Sequence, residues 1–116
     1  MYKRPVAYIC SPYKGNIQSN AAKAREYSRT AYEHGFTPIA PHLLFTQFMD
    51  DNIPEERSDA LLMNRVLVRK ANIIFVCGDV ITDGMKAEMI YARRIGLTVV
   101  PLDGIVRIEK YLKGES

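Results

Sequence analysis

The stretch from Ala71 to Val100, ANIIFVCGDVITDGMKAEMIYARRIGLTVV, restricts the fold more than any other part of the chain. Ile73 to Val76 is a short β-branched and aromatic run, the pattern of a strand buried on both faces. Gly78-Asp79 ends it, and Thr82-Asp83-Gly84 forms a turn with helix-capping side chains. A helix then runs to Arg93-Arg94, stops at Gly96 and hands over to a strand over Leu97–Val100. Met85, Glu88, Ala92 and Ile95 fall on one face of that helix. The row allows two orientations for Glu88. It is either a surface acid favoured by the helix dipole or a carboxylate facing the loop beyond the strand.

The same alternation governs the rest of the chain. Val6–Cys10 is the first strand, Ser11–Asn16 a loop, and Ile17 to about His34 a helix closed by Gly35. Its slim face of Ala21, Ala24, Ser28 and Ala31 suits close packing on a sheet. Phe36–Ala40 is a short strand whose proline places it at a sheet edge. Pro41–Met49 reads as a short helix or a lid over the sheet end, and Asp50-Asp51-Asn52 as a solvated turn without calcium-loop spacing. Pro54, Glu55 and Glu56 start a helix that runs to about Lys70. On it Ala60, Asn64, Leu67 and Ala71 share a face, so Asn64 needs a hydrogen-bonding partner if it is buried. Pro101 to Gly104 is a turn, Ile105 to Lys113 a final amphipathic helix, and Gly114–Ser116 a frayed end.

Strands alternating with helices predict one α/β domain spanning residues 1–116. It is a three-layer sandwich with a four- or five-stranded parallel sheet of Rossmann or flavodoxin-like type. In such sheets ligands bind beyond the carboxyl ends of the strands, where the strand order reverses. The Ser11–Asn16 loop, the Ala40–Leu43 segment and the Gly78–Gly84 loop all emerge at that edge. Ser11, Lys14, Gly15, Asn16 and the helix start behind them are the components of an anion site. The loop carries neither the Walker nor the dinucleotide-binding glycine pattern. His42 is read first as a hydrogen-bonded structural histidine and second as a ligand contact. For Tyr8 and Tyr13, packing or plain exposure is the first reading.

With 16 Lys and Arg against 13 Asp and Glu, the net charge is +3, and the basic residues are scattered along the chain. That argues against a nucleic-acid polymer as partner and suits an anionic small molecule. No apolar run reaches the length of a membrane span and no export signal is read, so a cytoplasmic protein without membrane association is expected. Cys10 and Cys77 each end a strand, and buried reduced thiols are expected there, unbridged, near the carboxyl ends of adjacent parallel strands. Two isolated Cys and two His at unrelated spacings do not make a metal site.

The segments AYICSPYKGN and ANIIFVCGD…TDGMKAEMIYARRIGLTVV together resemble the nucleoside 2-deoxyribosyltransferase-like superfamily, closest to a bacterial and phage branch of unassigned function. The similarity runs from about Val6 to Pro101. It implies that Glu88 is the nucleophile attacking the anomeric carbon of a 2-deoxynucleoside or its 5′-monophosphate, with transfer of the sugar to a second base or to water. It further implies Tyr8 and Tyr13 as groups that orient Glu88 or the sugar, and Ser11, Lys14, Gly15 and Thr82 as phosphate contacts. Asn16, His42, Gly78, Asp79, Asp83, Gly84 and Met85 complete the expected binding set, with Gly84 letting the sugar approach the backbone. A nucleoside or nucleotide ligand, no metal or organic cofactor, and a homo-oligomer are what the resemblance implies. Asn64 departs from the family, which carries an Asp at the aligned position, and an amide supplies no acid or base. A second reading therefore stays open, a nucleotide-binding or signalling module without catalysis.

Overall fold

Each apolar run becomes a strand because its side chains can be buried alternately on two faces. The computed structural model describes residues 4–103. In it β1 (Val6–Cys10), β2 (Thr37–Ile39), β3 (Ile73–Val76) and β4 (Thr98–Pro101) form one sheet in the order β2-β1-β3-β4. All three pairings are parallel, with Tyr8 beside Ile39 and Ile74, and Ile74 beside Val99. The connecting helices are α1 (Ile17–Glu33), α2 (Pro41–Leu44), α3 (Pro54–Lys70) and α4 (Asp83–Arg94), and a 3-10 turn at Phe45–Gln47 follows α2. This is the expected α/β architecture of Rossmann or flavodoxin-like type, with four strands.

The two faces of the sheet have separate cores. Tyr8, Cys10 and Ile74 pack against Val68 and Ala71 at the end of α3 and against Met85 and Ala92 of α4. On the opposite face Ala7, Ile9, Phe75 and Cys77 pack against Ala31 of α1, with Tyr27 and Phe36 beside them. Ala24 and Ala31 of the small-residue face of α1 are fully buried, as close helix–sheet approach requires. Cys10 and Cys77 are buried and unbridged. The Cys77 amide donates to the Cys10 carbonyl at 2.9 Å, extending the β1–β3 pairing by one step.

Several boundaries differ from the sequence reading. Strand β2 loses Phe36 and Ala40 to its neighbours: the Phe36 amide bonds to the Ala31 carbonyl at the end of α1, and Ala40 caps α2, whose first residue is Pro41. Helix α4 starts at Asp83, so Asp83 and Gly84 are helical and only Thr82 stands outside as the cap. Ile95 caps the other end of α4 and is exposed, so the inward row stops at Ala92. Strand β4 is displaced by one residue, because the Leu97 amide is held by the Ala92 carbonyl. On α3, Val68 joins Asn64 as a buried residue while Leu67 is only partly covered. The expected final helix, and the frayed end after it, lie outside the described residues.

Candidate active site

The strand order reverses between β1 and β3, and the loops leaving their carboxyl ends separate there. On the side of α3 and α4 this leaves a cavity of about 450 Å³. Its floor comes from Ser11, directly after β1, and from Met85 and Glu88 on α4. Asn64 of α3 forms one wall, and Tyr13 and His42 form another.

Glu88 reaches this cavity because Thr82 fixes where α4 begins. The Thr82 hydroxyl oxygen accepts from the Met85 amide at 3.2 Å, an N-cap bond that satisfies one of the free donors of the first turn. Two turns of helix geometry then bring Met85, Glu88 and Ala92 to the sheet side, where Met85 and Ala92 are buried and Glu88 is half-buried. Beneath it, fully buried Tyr8 donates its phenolic hydrogen bond to Glu88 Oε2. Burial pushes the Glu88 carboxyl up to about 7, and the Tyr8 bond works in the opposite direction. Burial first and the Glu88 charge second hold the Tyr8 phenol well above its ordinary value, so Tyr8 remains a donor. A carboxyl poised near neutrality and aimed by a buried donor can act as nucleophile or as general acid.

Two polar atoms beside it have no hydrogen-bonding partner among the described residues, Ser11 Oγ and Asn64 Oδ1. Their residues are only 2% and 8% exposed, and both border the cavity. Buried polar groups are nearly always paired, so these two atoms are set to receive a ligand or water. His42 Nε2 lies 2.9 Å from the Ser11 carbonyl. A carbonyl only accepts, so the ring carries its proton on Nε2. Burial lowers the His42 pKa, with the Ser11 bond and Asp51 opposing. The ring stacks on Tyr13 at 4.8 Å between centroids, making a flat aromatic wall.

Of the residues singled out from the sequence, the cavity brings together Ser11, Tyr13, Lys14, His42, Asn64, Thr82, Asp83, Gly84, Met85 and Glu88. Tyr8 acts from below through Glu88. Asn16, Gly78 and Asp79 border a different cleft, on the α1 side of the sheet, which Lys14 and Thr82 also reach. Asn16 uses its side chain to cap α1, accepting from the Ser19 amide at 3.0 Å. Gly15 borders neither hollow; its φ of +100° serves the turn itself. Gly84 is different. Its φ is not positive, and an added Cβ would meet only Thr82 Oγ1, at 3.9 Å, so the protein's own packing does not demand glycine there.

Sequence reasoning missed the opposite rim. Asp50, Asp51, Glu56 and Arg57 line the cavity, beside Phe45 and Met49 of the segment expected as a short helix or a lid. The available signal was the apolar Pro41–Met49 segment running straight into an acidic pair. Also missed was Asn20, whose amide donates to the carbonyls of Tyr13 and Lys14 at 3.0 and 2.9 Å and pins the loop after β1. Among the described residues no group of three or more His, Cys, Asp or Glu is arranged to hold a metal ion, and no helix is long and apolar enough to cross a membrane.

Among solved structures, the chain is similar to a 2-deoxyribosyltransferase from the psychrotolerant bacterium Bacillus psychrosaccharolyticus, described as a biocatalyst for the synthesis of nucleosides. The match covers 82% of this chain and 70% of that one, with a TM-score of 0.62 and 21% identity, and it shows a shared fold. No curated protein matches the chain. Residues 5–101, spanning every strand and helix described above, match one family along their whole length, and the chain belongs to that family, the Domain of unknown function DUF7768.

Proposed function

We propose that this protein cleaves, or transfers across, the N-glycosidic bond of a 2-deoxynucleoside or its 5′-monophosphate, with Glu88 as nucleophile. The observation that carries this reading is the Glu88 carboxyl, aimed by Tyr8 into a cavity whose buried Ser11 and Asn64 oxygens lack partners. A volume of about 450 Å³ is that of a small-molecule site. The shared fold with a deoxyribosyltransferase supports the reading.

In the proposed reaction a Glu88 oxygen forms an ester bond to the anomeric carbon as the carbon–nitrogen bond breaks. The electron pair stays on the base nitrogen, which takes a proton from solvent. A second base or water then attacks the same carbon, displaces the Glu88 carboxylate and gives up its own proton to solvent. The Tyr8 hydrogen bond favours the ionised form of Glu88 that attack requires. Gly84 leaves room beside the nucleophile for the sugar, and the Tyr13–His42 wall offers a stacking surface for the base. A homo-oligomer belongs to the same proposal: Leu61 lines the cavity yet is 54% exposed, and Phe48, whose ring packs on that of cavity-lining Phe45, is 67% exposed, an apolar edge that a second copy would cover.

The test is release of free base from labelled deoxynucleosides and their monophosphates by wild type and by Glu88→Gln. Base release by the wild type alone is expected; equal release by both proteins ends the proposal. The non-catalytic reading is favoured by one observation. Asn64, which supplies no acid or base, sits where the resemblance implies an Asp, and ligand binding without base release by the wild type would establish it.

A further inference from the structure

The cavity wall is strongly acidic. Asp50, Asp51, Glu56, Asp83 and Glu88 line it, against Lys14 and Arg57 as the only cations among the described lining residues. Asp51 and Asp50 both raise the pKa of Tyr13, behind its partial burial, which places their charges near the aromatic wall. The two long helices whose starts border the cavity have their own acids in place. Helix α3 carries Glu55 and Glu56 in its first turn, and α4 carries Asp83. A helix start attracts anions through its free amides and dipole, and a resident carboxylate already occupies that role. Helices α1 and α2 begin without an acid; α2 is a single four-residue turn, and the cap of α1, Asn16, borders the other cleft.

The groups left waiting inside the cavity are neutral. Ser11 Oγ and Asn64 Oδ1, on residues 2% and 8% exposed, have no partner among the described residues. A hydroxyl and an amide oxygen match the hydroxyls and amino groups of an uncharged ligand. A phosphate would bring negative charge into a wall that already holds an excess of it, in a concave site where such fields are focused.

We propose that this cavity selects the uncharged deoxynucleoside and discriminates against its 5′-monophosphate, through the excess of carboxylates on its wall. The inference rests on the glycosidic reading and narrows its substrate. The same carboxylates favour the positive charge that develops at the anomeric carbon, so one feature repels the phosphate and assists the chemistry.

The experiment is equilibrium binding of the four common deoxynucleosides and their 5′-monophosphates to the wild type across a salt series, repeated with the double variant Asp50→Asn, Asp51→Asn. At low salt the nucleoside should bind about tenfold more tightly than its monophosphate, a gap that narrows as salt screens the wall. The double variant should narrow it without added salt, and the wild-type salt series stands alone if that variant does not fold. Equal or tighter monophosphate binding at low salt overturns the inference and leaves the glycosidic proposal intact. Preference for the nucleoside without base release keeps the charge selection and removes the glycosidic proposal. Binding of neither set removes both.

Discussion

The phenol of Tyr8 on β1 donates a hydrogen bond to the carboxyl of Glu88 on α4, across 80 residues of sequence and from beneath the cavity floor. One fully buried side chain thus couples the central strand to the group proposed to attack. Its bond opposes the rise that burial imposes on Glu88, and so keeps the carboxylate accessible near neutral pH.

Tyr8→Phe should therefore separate folding from chemistry. The ring still fills its place in the core, while Glu88 loses the donor that favours its charge. Base release at pH 7 should fall about tenfold, the equivalent of one charge-assisted hydrogen bond. The rate–pH profile should move to the alkaline side, with activity partly restored at higher pH. A uniform loss at every pH would contradict this role.

Glu88→Gln makes a prediction about stability as well as activity. The folded carboxyl titrates at about 7, above its ordinary value of 4.5. The folded state has its full advantage below pH 4.5 and loses it as pH rises through about 7, because folding then holds a charge in a partly buried place. The amide variant avoids that penalty. Its melting temperature relative to wild type should be similar near pH 4.5, rise between pH 4.5 and 7, and level off above. The plateau corresponds to at most about 3 kcal/mol. A difference independent of pH would show that burial does not perturb Glu88.

Asn64→Leu should stabilise the protein and impair it. The substitution removes a buried oxygen that has no partner among the described residues, and it keeps the γ-branched outline of the side chain one turn before buried Val68. A gain of about 1 kcal/mol in chemical denaturation is expected, together with roughly tenfold weaker nucleoside binding. Loss of stability would mean that water satisfies Asn64 in the free protein.

The two glycines flanking the Thr82 cap should respond in opposite ways. At Gly78, with φ of +95°, a Cβ would meet Tyr27 Oη at 3.3 Å and Pro12 Cδ at 3.5 Å, so Gly78→Ala should destabilise by about 1–3 kcal/mol. Gly84→Ala has helical backbone and open space, and should add up to about 1 kcal/mol of stability. It should also weaken ligand binding, because the methyl group enters the cavity. Thermal melts and nucleoside titrations of the pair distinguish the two roles.

The fold was legible because the strands are short runs buried on both faces and the stops are chemically distinct. The positive-φ glycines Gly35, Gly78 and Gly96, the Thr82 cap and the proline starts all mark their elements locally. Errors arose where two elements compete for one residue, as when the end of α1 and the start of α2 take Phe36 and Ala40 from β2. Of the site, parallel order carries the loops after the strands to one edge, but not to one side of the sheet: Ser11, Tyr13 and Lys14 border the cavity, while Asn16, Gly78 and Asp79 border the cleft on the α1 side. The Asp50 to Arg57 rim was not legible. It follows the segment read as a short helix or a lid over the sheet end, but the acidic pair's own spacing reads only as a solvated turn. The Tyr8–Glu88 bond was equally hidden, since nothing in either segment announces a partner 80 residues away.

Cys10 and Cys77 sit at the carboxyl ends of the two central strands, on opposite faces of the sheet, each 1% exposed. Burial raises both thiols, Cys77 to about 12 and Cys10 further, so neither forms appreciable thiolate while the sheet is closed. An alkylating reagent can react only when the covering layer opens, α3 and α4 over Cys10 or α1 over Cys77, and the rate of labelling at each thiol then measures how often its face of the sheet opens. Occupation of the neighbouring cavity should divide the rate at Cys10 by 1 + L/Kd, where L is the free ligand concentration, giving the chain a built-in gauge of ligand affinity that needs neither turnover nor an attached probe.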